Sequence, residues 1–186
     1  LLVPMSVEGS SMYPTLNYEY STTGNTTACD VVYLSKTQDV SKQDIVVFNA
    51  TPYNSSHKQA ATIYYIKRVI ATGGDKIKFK KTEQSSTSTH YEVYLNGTLL
   101  EENYITQPIS YSSPAITPEI VLNETELIIP SDCIFVMGDN RNNSKDSREL
   151  GVIKTSDVLG KVVLHIEYGE TLLQGLIKSI KHDYLF

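Results

Sequence analysis

A chain of 186 residues is long enough for one large domain or two small lobes around a sizeable core. With 40% hydrophobic and 20% charged residues it has the make-up of an ordinary folded protein, and a net charge of -5 excludes nucleic acid as the main partner, because phosphate binding needs clustered Lys and Arg. No run approaches the roughly 20 apolar residues needed to span a bilayer.

The chain opens at Leu1-Leu2-Val3 with no initiator Met, so a further N-terminal segment is expected to have been removed. Short β-branched or aromatic runs, bounded by Gly, Pro, Asn, Asp or Ser, predict strands over Val31–Leu34, Asp44–Phe48, Thr62–Ala71, Tyr91–Leu95, Glu126–Ile129, Cys133–Met137 and Lys161–Tyr168. Lys76–Lys81 alternates lysines with Ile77 and Phe79 and reads as a half-exposed strand rather than a binding arm. The polar run Thr82–Thr89 predicts an exposed loop. Asn96-Gly97, ahead of Thr98–Leu100, has the chemistry of a tight hairpin turn, since both residues tolerate positive φ. At the end, Leu173, Leu176, Ile177, Ile180 and Tyr184 form a helical stripe with Lys178 and Lys181 off it. Such a helix packs on the domain or, alternatively, lies on a membrane surface. The expected fold class is mainly β with a short C-terminal helix.

Cys29 and Cys133 lie far apart and outside any CxxC or metal-ligand spacing; whether they pair depends on the fold. Of the four histidines, His57 and His90 lie in polar, loop-like stretches, His182 is near the terminus, and His165 sits in a strand as a structural residue. No GxSxG elbow, HExxH or Cys/His cluster is present, so neither a metal nor a cofactor is expected.

Three segments remain as candidates for chemistry. In Val7-Glu8-Gly9-Ser10-Ser11-Met12-Tyr13-Pro14-Thr15-Leu16, Gly9 and Ser10 allow close backbone approach and Pro14 fixes the chain after Ser11, which suits a serine displayed on a turn. A plain surface turn is the competing reading. In Tyr64–Asp75, strand geometry puts Lys67 on a face with Tyr65, Val69 and Ala71, opposite Ile66, Arg68 and Ile70. A lysine on a doubly apolar strand is desolvated and its pKa falls, as a lysine general base requires, unless it snorkels to water at an edge. Met137–Arg148 crowds amide, hydroxyl and charged groups directly after an apolar run, which marks either a site loop or a self-capped turn.

Together these segments resemble the bacterial type I signal peptidases, peptidase family S26, of the Gram-positive kind. Ser11-Met12-Tyr13-Pro14-Thr15 matches the family's serine box, Gln43-Asp44-Ile45-Val46-Val47-Phe48 its Gly-Asp-led strand, Lys67-Arg68 through Gly74-Asp75 its lysine box, and Gly138 through Arg148 its long final box. The resemblance covers roughly residues 4–165 and implies a signal-peptidase-like catalytic β-core from residues 1–79 and 131–170. A smaller, non-catalytic β insertion would span 80–130, and an amphipathic segment 171–186.

By the same resemblance Ser11 is the nucleophile and Lys67 the general base. Ser144 would orient the lysine, the Ser11 backbone N–H would donate to the oxyanion, and Arg68, Asp146 and Arg148 would form a structural charge cluster. Gly9 stands where some relatives place a second oxyanion serine, so the other donor stays open. The implied partners are the signal peptides of secreted pre-proteins, cut after small residues of the Ala-x-Ala kind, and a membrane through an anchor preceding the chain. The implied location is the cell membrane, with the catalytic part on the extracytoplasmic side. Alternatives are a self-cleaving repressor-type protease with the same dyad, which lacks the final box, and a pilus assembly factor, which has lost the dyad present here.

Overall fold

The computed structural model describes residues 2–36, 39–54 and 62–183. His57 and Tyr184 lie outside them, as do the side chains of Ile180 and His182. In chain order the elements are β1 (Leu2–Ser6), α1 (Tyr18–Thr23), β2 (Val31–Ser35), β3 (Ile45–Asn49), β4 (Tyr64–Thr72), β5 (Lys76–Gln84), β6 (Thr89–Leu95), β7 (Thr98–Leu99) and β8 (Ile109–Tyr111). Then follow α2 (Glu119–Leu122), β9 (Leu127–Ile128), β10 (Cys133–Met137), α3 (Ser147–Leu150), β11 (Ile153–Lys154), β12 (Val158–Ile166) and α4 (Leu172–Asp183). The fold is mainly β, as expected.

Two antiparallel sheets carry it. One runs β1-β2-β12-β3-β4-β10-β11; the other runs β7-β6-β5-β9, with β8 on β6. The second sheet takes in the whole of β5, from Lys76 onward, so sheet membership changes at the Gly73-Gly74 turn. Ile70 and Ala71 of β4, and Cys133, Phe135 and Met137 of β10, pack in one cluster with Ile77, Phe79, Tyr91, Val93 and Ile109 of the second sheet. The sheets therefore share a core. Asn96 and Gly97 both adopt positive φ, 54° and 84°, and close the β6–β7 hairpin as their chemistry requires.

Some elements escaped the sequence reading. β1 contains Pro4 and sits at a sheet edge, the place a strand tolerates proline. β8 and β11 are two or three residues long, too short to show a period. The polar loop is narrower than expected, because β5 runs on to Gln84 and β6 starts at Thr89; His90 is therefore a strand residue. Both cysteines are free thiols, Cys133 buried and Cys29 partly exposed.

α4 meets β12 through Gly175, where an added Cβ would press on Ile166 and the His165 carbonyl. Its apolar stripe does not face the body: Leu172, Leu173, Leu176 and Ile177 are 42–66% exposed. Among the described residues no helix is long and apolar enough to cross a membrane.

Candidate active site

Ser11 is displayed by its neighbours. Val7, Met12 and Leu16 are buried with Val32, Leu34 and Val47, so the loop between them is pinned into the core at both ends. Asn17, itself fully buried, donates from Nδ2 to the carbonyls of Val7 (2.7 Å) and Gly9 (2.9 Å). Gly9 has φ of +83°, where any side chain is strained, which accounts for a glycine at this position.

Lys67 lies mid-way along β4, paired with Val46 of β3, and is only 4% exposed. Its Nζ donates to Ser11 Oγ at 2.7 Å and to the Ile66 carbonyl at 2.8 Å. The Tyr65 ring stands 5.3 Å from the same nitrogen. Burial drives the Lys67 pKa down from 10.5; Asp146 and Asp139 push it back, Arg148 assists the fall, and the result is about 8.

The Gly138–Arg148 loop closes over the pair. The Asn140 N–H donates to the Ser11 carbonyl (3.1 Å), Asn140 Nδ2 to the Ser10 carbonyl (3.0 Å) and Asn143 Nδ2 to Ser10 Oγ (2.8 Å). Gly138 sits so close to the Ser11 carbonyl and the Ser144 side chain that no Cβ fits there. Ser144 Oγ is buried and, among the described residues, finds no well-formed hydrogen bond to Lys67 or any other group, although it is near enough to Asp146 to help keep that carboxylate ionised.

The three charged residues grouped in the sequence separate into two buried ion pairs. Arg148 grips Asp146 through Nε and Nη2, both at 2.8 Å, and Asp146 also accepts the Gly138 N–H at 2.9 Å. Burial alone would raise the Asp146 carboxyl; the Arg148 charge and these donors outweigh it and the pKa is lowered. Arg68 instead pairs with Asp139, Nε to Oδ1 at 2.8 Å and Nη2 to Oδ2 at 2.6 Å. Thr15 Oγ1 donates to the same Asp139 at 2.5 Å, so this carboxylate ties the serine loop to the lysine strand. Asp139, Asn140, Thr15 and Tyr65 were not singled out from the sequence. The first three stand inside the quoted boxes; Tyr65 could have been found from its place on the Lys67 face.

An open cleft of about 200 Å³ beside the pair is lined by Glu8, Ser11, Tyr64, Tyr65, Ile66, Lys67 and Lys145. It shares Tyr64–Ile66 with a hollow of about 50 Å³ faced by Met5, Val7, Val32 and Val47. A roomier polar hollow surrounds Asp30 and His165, which pair at 2.7 Å. It contains no nucleophile beside a base among the described residues, so the smaller cleft is the candidate for chemistry. The His165–Asp30 bond is the structural role expected of that histidine.

The family model for signal peptidase, peptidase S26, matches residues 1–167. The chain belongs to that family, and its class is that of a serine endopeptidase. Signal peptidase I of Bacillus caldolyticus is 32% identical over 160 residues, covering 84% of this chain and 74% of the relative. Signal peptidase IB of Staphylococcus aureus (strain COL) is 30% identical over 169 residues, covering 87% and 76%. Thylakoidal processing peptidase 1, chloroplastic, of Arabidopsis thaliana is 28% identical over 166 residues, 88% of this chain but 41% of that longer protein. A solved signal peptidase I from Enterococcus faecalis V583 is 23% identical, with a TM-score of 0.43 over 67% of this chain and 97% of that one. The resemblance to the bacterial type I signal peptidases holds.

Proposed function

We propose that this chain removes N-terminal signal peptides from exported pre-proteins, cutting after small residues of the Ala-x-Ala kind with Ser11 as nucleophile and Lys67 as general base. The observation that carries the reading is the 2.7 Å approach of Lys67 Nζ to Ser11 Oγ, by a lysine whose burial brings its pKa to about 8. The neutral amine takes the hydroxyl proton as Ser11 attacks the scissile carbonyl. The resulting ammonium returns a proton to the departing amine, and the amine then activates the water that hydrolyses the ester. The developing oxyanion is received by the Ser11 N–H, in a loop whose Gly9 leaves open space around its α-carbon. Ser144, whose hydroxyl is buried in the loop beside Ser11, would orient the lysine in this reading.

β10 pairs with β4 only from Arg68 to Thr72, so Tyr64–Lys67 offers an unpaired edge on that side among the described residues. An extended peptide adds there as a strand, its small side chains fitting the 200 and 50 Å³ recesses on the shared wall of Tyr64–Ile66. In this reading the work is done at a membrane, on the extracytoplasmic side. Residues 1–79 and 131–170 supply the catalytic groups in this reading, and 80–130 the insertion.

The test is cleavage of a pre-protein bearing an Ala-x-Ala site, with and without lipid. Ser11→Ala and Lys67→Ala each abolish turnover with the far-UV CD spectrum unchanged. Full activity in Lys67→Ala overturns the dyad. No turnover by the unaltered chain under either condition favours an assembly factor instead.

A further inference from the structure

The loop that closes over Ser11 is itself held from outside, by residues of the insertion. Arg141 is buried, and its Nε donates to the Gly138 carbonyl at 3.1 Å. Its Nη1 donates to one Glu102 oxygen at 2.7 Å while Nη2 lies 2.5 Å from the other, at a poor hydrogen-bond angle. Tyr104 donates from its hydroxyl to Glu102 at 3.1 Å and lays its ring between two guanidinium groups, 4.1 Å from that of Arg68 and 5.7 Å from that of Arg141. Asn142 accepts the Ser110 N–H at 2.8 Å and donates to the Pro108 carbonyl at 3.0 Å, and Arg148 donates to the Tyr111 hydroxyl at 3.1 Å.

We infer that Tyr104, supported by Glu102, is a positioning residue for the peptidase reaction: its ring fixes Arg68 against Asp139 and so sets the Ser11–Lys67 approach from the insertion side. This rests on the dyad reading above. The route is continuous in contacts. Tyr104 covers Arg68; Arg68 holds Asp139 through two hydrogen bonds; Asp139 takes the Thr15 hydroxyl; and Thr15 is four residues from Ser11 in a loop pinned by Met12 and Leu16. An aromatic face suits this task better than a second carboxylate would. It attracts the guanidinium without competing for its N–H groups, which stay aimed at Asp139, the Gln43 carbonyl and Thr15. Tyr104 also lies against two cations whose carboxylate partners, Asp139 and Glu102, come from different parts of the chain, so one ring locks both pairs.

A positioning role has an electrostatic signature. The charged groups acting on Lys67 are Asp139, Asp146 and Arg148, with Glu8 and Lys145 on the cleft rim. A loosened Arg68 compensates Asp139 less well. The freed negative charge favours the lysine ammonium, so the rise of activity with pH moves to higher pH.

The experiment compares Tyr104→Leu, Tyr104→Phe and Glu102→Gln with the unaltered chain and with Lys67→Ala, on the same pre-protein across pH 6 to 10. Tyr104→Leu is expected to lower kcat about tenfold with KM within about twofold, because geometry rather than substrate contact is lost. Its rising limb moves to higher pH. Tyr104→Phe keeps the ring over Arg68 and loses only the hydroxyl bond to Glu102, so it and Glu102→Gln each give a smaller loss in the same direction. Unaltered kcat and pH limb in both Tyr104→Leu and Glu102→Gln overturn the proposal, whatever their melting temperatures, as does a Tyr104→Phe as impaired as the leucine variant. Activity in Lys67→Ala instead strikes the dyad reading.

Discussion

Arg68 donates from Nη1 to the carbonyl of Gln43 at 3.0 Å, and Gln43 holds that carbonyl in place with a left-handed backbone, φ 73°. The family pattern has glycine where Gln43 stands, and the reason is visible in this angle: a Cβ is strained here and glycine is not. The amide is also engaged, donating to the Val69 carbonyl at 2.8 Å, so the turn cannot relax without losing its grip on β4.

Gln43→Gly is therefore expected to stabilise the chain. Relief of the left-handed strain is worth about 1–2 kcal/mol, less what glycine costs in backbone entropy, for a net gain of about 1 kcal/mol. Urea denaturation at neutral pH measures it. Since Arg68 bonds the backbone of residue 43, turnover stays unchanged.

The lysine carries a pH dependence of its own. Its folded pKa of about 8 lies below the 10.5 of an ordinary lysine, so between those values the unfolded chain binds a proton that the folded chain does not. Stability contributed by this group consequently rises with pH across that window and is absent below about 8. Lys67→Met removes the slope, which amounts to on the order of 3 kcal/mol over the window. Denaturation midpoints of the two proteins at pH 7 and pH 10 report it. In the proposed dyad the base acts as the free amine, so turnover of the unaltered chain is expected to rise through the same pH of about 8.

Gly138 is a third point of sensitivity. An added methyl group would collide with the Ser144 side chain and with the carbonyl oxygen of Ser11, and neither the buried hydroxyl nor the pinned loop has room to give way. Gly138→Ala should displace Ser11 from Lys67 and cost about 100-fold in kcat, since an ångström of misplacement has effects of that size. The acetyl-like probe of choice is a serine-directed acylating agent: its labelling rate falls in parallel with turnover if Ser11 has moved.

Much of this site was legible because its signals are local. Ser11 stands between small residues and Met12, and Lys67 sits on a strand with apolar neighbours on both faces; each makes a candidate within ten residues, and the ordered set of boxes joins them. The pairing of charges could not be read so. The family resemblance groups Arg68, Asp146 and Arg148 in one cluster, yet Arg68 turns to Asp139, because it pairs with Met137 at the end of β10, two residues before that carboxylate. The fold divides in the same way. β10 matched its expected bounds because a run of five buried residues is its own signal, whereas β1, β8 and β11 exist only through the strands they pair with. For α4 the apolar stripe gave the helix but not its orientation, which Gly175 decides by being small enough to lie on β12.

The bonds that clamp the serine loop join residues 124, 130 and 133 positions apart, from Thr15 to Asp139, Ser10 to Asn140 and Ser10 to Asn143. During synthesis Ser11 thus emerges long before the loop that fixes it. Lys67 arrives in between, and it is burial in the finished fold that brings its pKa down to about 8. In the proposed dyad the capacity to cut peptides therefore depends on contacts that only the complete chain can make.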